Sequence, residues 1–393
     1  MRDASSPSGA VTIGIVAGEA SGDALAATLI GAVRERLPQA RFVGVAGPRM
    51  EAAGCEAWYP LETLSVRGLV EVLSRLPQLF ALRRGLARRL LAERVPLFVG
   101  VDAPDFNLGL EARLKRSGVR TVHFVSPSVW AWRRERLQTI GRSIHRMLAL
   151  FPFEPPLYEA AGVPVTFVGH PLARQAAVLG SRRAAREQLK LGIAQPVFAL
   201  LPGSRASEVD MHGELLLQTA AALHAMRPDA RFLVPLATRP TRDRFEAAIF
   251  RLGLGQLPMT LLYGHATDAL RAADVALVAS GTATLEAALA RCPHVIFYRV
   301  NALTGRIVRR KLLLPWVGLP NILAGKFVVP ELLQEDATVE NLAQAAGNLY
   351  DDTVIRRRQE AVFAGFAASL AADTGGLAAD AVIAELRAAG VSV

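Results

Sequence analysis

The stretch VFALLPGSRASEVD, Val197 to Asp210, sets an apolar strand against a tight polar turn that opens a helix. Val197 to Leu201 reads as a buried parallel strand, Pro202 and Gly203 end it, and Ser204 and Ser207 are helix N-cap types. The backbone N–H groups that follow are expected to point outward with the positive end of a helix dipole behind them, an arrangement that suits an anion. Arg205 adds a planar guanidinium that meets phosphate oxygens two at a time. A diphosphate is the ligand this chemistry fits first. An ordinary strand-to-helix turn with a surface arginine is the competing reading of the same residues.

A second turn repeats the pattern in ALVASGTATLEAAL, Ala276 to Leu289. A strand ends at Ser280, Gly281 and Thr282, and the next helix begins with Ala283 and Thr284, offering hydroxyls and unpaired N–H groups. Glu286 lies one turn further and suits the two hydroxyls of a ribose, or simply a favourable charge in the first helical turn. Two such turns in one half of the chain make a nucleotide diphosphate a better fit than either alone. Nearer the N-terminus, Asp102 ends the strand Leu97 to Val101 in VDAPDF, where ligands of open α/β sheets bind. A carboxylate there can take a proton from a substrate hydroxyl, or it can cap the next helix. Glu19, Ser21 and Asp23, in the turn GEASGD after the strand Thr12 to Ala17, are candidates for substrate contact, with helix capping as the alternative for Ser21 and Asp23. Asn321, in the apolar turn LPNILAG, is suited to orient a ligand.

The elements that must carry these groups alternate strand and helix through both halves, which predicts an α/β chain with two doubly wound parallel sheets. The expected domains are residues 1–185, residues 186–365, and a terminal helical segment, 366–393, packing back on the first. The turn after Ala17 is not a dinucleotide fingerprint, because its glycines are wrongly spaced and no acid ends the strand Arg41 to Ala46. With 51% hydrophobic and 20% charged residues over 393 positions the composition is globular, and no run of about 18 uncharged apolar residues is evident. The first ten residues lack the apolar segment of a signal peptide, so a cytoplasmic location is expected. Cys55 and Cys292 stand far apart with no ligand set near them, so neither a disulfide framework nor a metal site is expected. The net charge of +10 comes from arginine, since lysine occurs only at positions 115, 190, 311 and 326. Such a surface attracts phosphates, nucleic acid or anionic lipid. The arginines are dispersed and no nucleic-acid-binding motif accompanies them, so no nucleic-acid partner is expected.

Between Val66 and Phe80, Leu69, Val72, Leu73, Leu76 and Phe80 share one helical face, followed by a cationic run from Arg83 to Arg94. An apolar ridge beside a basic cluster fits an anionic lipid surface or an acyl chain; a core-facing stripe beside a solvated face fits the same pattern. Trp130 and Trp132, beside Arg133 and Arg134, suit sugar or lipid contact as well as packing.

Taken together and in order, GEASGD, VGVAGPRM, VDAPDFN, SPSVWAWR, LPGSR, ASGTATLE and LPNILAG resemble the lipid-A-disaccharide synthase family, from about Val11 to Leu333. The resemblance implies a GT-B fold, two Rossmann-like domains facing a central cleft. It further implies an inverting transfer of 2,3-diacylglucosamine from UDP to 2,3-diacylglucosamine 1-phosphate, with a β-1,6 linkage and release of UDP. No metal or other cofactor is implied. Asp102 matches the family's proposed general base and Asn321 another site residue, while Ser204, Arg205 and the turn from Ser280 to Thr284 would hold the diphosphate and Glu286 the ribose. Because both substrates carry acyl chains, the resemblance favours membrane or acyl contact at the 69–80 ridge. It places the protein peripherally on the cytoplasmic face of the inner membrane, against anionic phospholipid; a homodimer is one form the chain could take, and the sequence leaves the oligomeric state open. A UDP-sugar 2-epimerase on the same scaffold is the alternative enzyme, and a basic nucleic-acid-binding protein the non-enzymatic one.

Overall fold

The computed structural model describes residues 11–64, 69–132, 135–178, 180–301 and 314–393. Two compact units divide the chain, one formed by residues 1–171 with 370–393 and the other by residues 172–369.

In the first unit, β1 (Thr12–Ala17), β2 (Arg41–Ala46), β3 (Cys55–Pro60), β4 (Leu97–Val101), β5 (Arg120–Phe124), β6 (Arg146–Ala149) and β7 (Val165–Phe167) form one parallel sheet. Its order is β3-β2-β1-β4-β5-β6-β7, so the winding reverses between β1 and β4. The strands read as unbroken apolar runs because both faces are covered. Ile13 and Ile15 pack with Leu25, Leu29 and Val33 of the helix Ala20–Arg36 on one face, and Val16 packs with Leu86 and Leu90 of the helix Leu69–Ala92 on the other. The C-terminal helix Thr374–Ala388 completes the first of these layers through Ala378, Val382 and Leu386. Glu385, buried on that helix, accepts hydrogen bonds from Arg120 Nε and Arg146 Nε, both at 2.8 Å, which pins the tail to β5 and β6.

The second unit repeats the plan with β8 (Val197–Leu201), β9 (Arg231–Leu236), β10 (Met259–Tyr263), β11 (Val275–Ala279), β12 (His294–Tyr298) and β13 (Glu331–Leu333), all parallel. Here the order is β10-β9-β8-β11-β12-β13, reversing between β8 and β11. Phe198 and Leu200 face one core and Val197, Ala199 and Leu201 the other, as alternation along a strand demands.

The first unit gives way to the second at Pro171, ahead of the expected residue 185. The cause is the helix Arg182–Gln188, whose buried Arg186 donates to Asp274 Oδ2 at 2.8 Å, while the same oxygen accepts from the Val197 amide that opens β8 at 3.0 Å. That carboxylate commits the helix to the second sheet. The return to the first unit comes at Leu370, not 366. By length and composition the stretch Thr353–Ala388 is apolar enough to cross a membrane, although the sequence shows no run of about 18 uncharged apolar residues. It is broken into the helices Thr353–Leu370 and Thr374–Ala388, and the second spends its apolar face on the core just described.

Candidate active site

Both reversal points carry the candidate residues at their strand ends, the position where open α/β sheets bind ligands. In the second unit the turns after β8 and β11 lie side by side because the two strands pair directly. The helix Ala206–Met226 starts after Arg205, which is extended and makes the N-cap in place of Ser204 or Ser207. The amides of Ser204 and Arg205 do not face open space as expected. Both donate to Glu208 Oε2, at 2.8 and 3.0 Å, so the helix fills part of its own anion site with a carboxylate. Gly203, at φ 117°, permits this closure: a Cβ there would stand 2.5 Å from Glu208 Oε2. The Arg205 side chain is 64% exposed, with Nη1 3.5 Å from Glu208 Oε1. Glu208 was missed in the sequence because it stands three residues beyond Arg205, which is not an N-cap type, so the capping-box spacing shows only once Arg205 is seen at the N-cap.

His212 supports the same turn from below. Buried between Phe297 and Tyr298, it places Nδ1 2.8 Å from the Pro202 carbonyl and accepts the Arg299 amide on Nε2 at 3.2 Å. It ties the end of β8 to the end of β12, and nothing in the sequence singles out a lone helical histidine for that task. Next door, Gly281 caps the helix Thr282–Leu289, with Ser280 half-buried and Gly281 and Thr282 exposed at the strand end. Thr284 does not present its hydroxyl to a ligand: it is buried and donates to the Gly281 carbonyl at 2.8 Å. Glu286 is partly buried, and burial raises its carboxyl above the ordinary value.

In the first unit, the turns after β1 and β4 touch. A Cβ on Gly18 would lie 2.2 Å from Ala103 Cβ, so only glycine lets the GEASGD turn sit against VDAP. Asp102 is half-exposed at φ 54°, and Ala103 follows at φ 42° before Pro104 starts the helix Pro104–Arg116. Glu19 and Ser21 are exposed at the neighbouring strand end. Asp23 is not. It is 3% exposed and accepts the amides of Gly47, Arg49 and Met50 at 3.0–3.1 Å, capping the separate helix Pro48–Ala52.

A sequence model described as Lipid-A-disaccharide synthetase matches residues 13–373. The chain belongs to the lipid-A-disaccharide synthase family. Members of this family are glycosyltransferases. The lipid-A-disaccharide synthase of Chromobacterium violaceum is 54% identical, covering 95% of this chain and 97% of the relative. Among solved structures, the UDP-GlcNAc 2-epimerase from Neisseria meningitidis bound to UDP-GlcNAc superposes with a TM-score of 0.57 at 12% identity, covering 96% of this chain and 99% of that one. MurG of Acinetobacter baumannii gives 0.55 at 14%, covering 95% and 99%. At such identities these two show the fold alone, which is GT-B. The epimerase alternative is not favoured, since the high-identity relative carries the synthase name.

Measured against the family expectation, Asn321 is a framework residue. Fully buried, it donates through Nδ2 to the Val329 carbonyl at 2.8 Å and to Glu331 Oε1 at 2.7 Å, and its Oδ1 accepts the amides of Val328 and Val329. No hydrogen-bonding capacity is left for a ligand. Glu331 also takes the amides of Val317 and Gly318, so the pair fixes the LPNILAG turn from inside. Trp130 is likewise engaged internally, donating to buried Glu154 at 3.2 Å and meeting Phe153 edge-on. Burial lifts the Glu154 carboxyl to about 7. His170 is buried against Phe151, and burial lowers it to about 4, so it is neutral at pH 7.

On the 69–80 ridge, Leu69, Val72 and Leu73 have side chains outside the described residues, as do Trp132, Arg133 and Arg134. Leu76 is half-buried and Phe80 46% exposed beneath the Arg83 guanidinium at 4.8 Å. From Leu86 onward the same helix turns its apolar face to the core.

Proposed function

We propose that this glycosyltransferase moves a 2,3-diacylglucosamine unit from UDP to the 6-hydroxyl of 2,3-diacylglucosamine 1-phosphate, inverting the anomeric carbon to give a β-1,6 disaccharide 1-phosphate and UDP. The observation that carries the reading is the 54% identity over 95% of the chain to a named synthase. Asp102 accepts the proton of the attacking hydroxyl as the new C–O bond forms. The bond from the anomeric carbon to the β-phosphate oxygen breaks with its electron pair leaving on UDP. Charge that develops on that oxygen meets the Arg205 guanidinium, Ser204 and the helix N-terminus at Ser280 to Thr282. In this reading arginine and backbone dipoles serve where other transferases use a divalent cation. Glu286 takes the ribose hydroxyls, and Glu19 and Ser21 contact the acceptor sugar. Asp23, Thr284 and Asn321 serve by fixing the turns that carry these groups.

Incubating the full-length protein with the UDP-diacylglucosamine donor and the monosaccharide phosphate should yield disaccharide 1-phosphate and UDP in equal amounts by mass analysis, with turnover only when the acceptor is present. Acceptor-independent conversion of UDP-N-acetylglucosamine to its C2 epimer would sink the proposal.

Acylated substrates also place the enzyme at a lipid surface, on the cytoplasmic face of the inner membrane. The exposure of Phe80 beside Arg83, with Arg84 and Arg88 exposed behind it, supports docking on anionic phospholipid through this middle part of the helix Leu69–Ala92. Replacing Leu76 and Phe80 together by serine is expected to lower co-sedimentation with anionic phospholipid vesicles several-fold while the soluble fold persists. Unchanged sedimentation would assign the ridge to packing.

A further inference from the structure

We propose that Asn107 is a positioning residue for Asp102, holding the carboxylate in its reactive direction through the backbone; this rests on the assignment of Asp102 as the base. Asp102 and Ala103 are consecutive non-glycine residues in the left-handed region, a conformation that persists only where the surroundings enforce it. The enforcing group is visible. Asn107 is fully buried on the first turns of the helix Pro104–Arg116, and its Nδ2 lies 2.8 Å from the Asp102 carbonyl and 3.3 Å from the Val101 carbonyl. Those two carbonyls bracket the Asp102 Cα. Holding both sets the φ and ψ of that residue, and with them the direction of its Cα–Cβ bond. The same nitrogen is 3.4 Å from the Val16 carbonyl, so one amide reaches the ends of β1 and β4 on both sides of the sheet's reversal point.

The rest of the environment argues for a donor at this position and not merely a filler. Asn107 Oδ1 is buried and accepts no hydrogen bond from the described residues, so among them the side chain works through its N–H groups. Neighbouring Leu108, Leu110 and Leu114 of the same helix show that the surroundings accept aliphatic side chains. Asn107 packs closely over β4. A Cβ on Gly100 of β4 would stand 2.9 Å from Asn107 Cβ and 2.2 Å from Glu111 Oε1, so both side chains press into the gap that glycine leaves. Glu111 is in turn held by His123 Nδ1 of β5 at 2.7 Å.

The experiment is a double-mutant cycle of Asn107→Ala with Asp102→Ala, read by long-incubation turnover of radiolabelled donor and by thermal melting. Asn107→Ala is expected to lower kcat by about 10- to 100-fold, the cost of misplacing a catalytic group by a fraction of a bond length to one bond length, with donor KM within about two-fold. In the Asp102→Ala background the same change should cost less than about two-fold, because the group it aims is gone. Asn107→Ser, which keeps one hydroxyl donor, should recover part of the loss, and it replaces Asn107→Ala in the cycle if the alanine variant does not fold. An equal penalty in both backgrounds, or a normal kcat for the single variant, overturns the positioning role. If instead Asp102→Ala alone retains wild-type kcat, the base assignment itself is wrong.

Discussion

Asp102→Asn is expected to lower kcat by about 10²- to 10⁴-fold, the range that a positioned general base contributes, with the melting temperature close to that of the parent chain. The substitution separates chemistry from fold unusually well. Asp102 sits at φ 54°, and asparagine is the non-glycine residue that tolerates this region best, so the backbone turn and its hydrogen bond from the Asp102 amide to the Phe124 carbonyl at 2.8 Å are retained. The half-exposed side chain loses only its capacity to accept a proton. Donor KM should move little, because the carboxylate is assigned to the acceptor hydroxyl. Steady-state kinetics at saturating acceptor with a parallel thermal melt give the check, and a variant with undiminished kcat would remove Asp102 from the reaction.

Arg205→Ala should reduce kcat/KM for the donor by about 10²- to 10³-fold, the loss typical of one preorganised partner to developing charge. Two structural facts set this expectation. Glu208 already occupies the amides of Ser204 and Arg205, so the guanidinium carries more of the interaction with the diphosphate than the turn alone would require. The side chain is also 64% exposed, so its removal disturbs little packing. Arg205→Lys should recover only part of the activity, since an ammonium offers a point charge without the planar fork. UDP affinity by calorimetry and kcat/KM together decide the matter; tight UDP binding and full turnover in Arg205→Ala would refute the role.

Motif order carried the family reading, and strand ends carried the candidate sites, because a parallel strand is buried on both faces and reads as an unbroken apolar run followed by a polar turn. β1, β4, β8 and β11 announce themselves this way. The strands β3, β12 and β13 do not stand out: β3 and β13 are short or interrupted by polar residues, and β12 opens on buried His294. The domain boundary was hidden for a related reason. A helix such as Arg182–Gln188 is amphipathic whichever sheet it joins, and only the Arg186–Asp274 pair, far apart in the chain, decides.

Within the sites, sequence indicated polar residues without saying where their bonding capacity goes. Asp23, Thr284 and Asn321 have the right chemistry for ligands, yet each is satisfied inside the fold by groups whose proximity no local pattern encodes. Glu208 adds a residue whose spacing from an arginine N-cap gives no signal in the sequence and whose effect on the anion site appears only when its oxygen is seen on two amides. The sequence alone therefore determined the family, the two doubly wound sheets and the neighbourhoods of Asp102 and Arg205, since these follow from local periodicity and ordered motifs. Tertiary structure alone decided which polar groups face outward and which are consumed within, because hydrogen-bond satisfaction in a buried setting is a property of residues distant in the chain brought together.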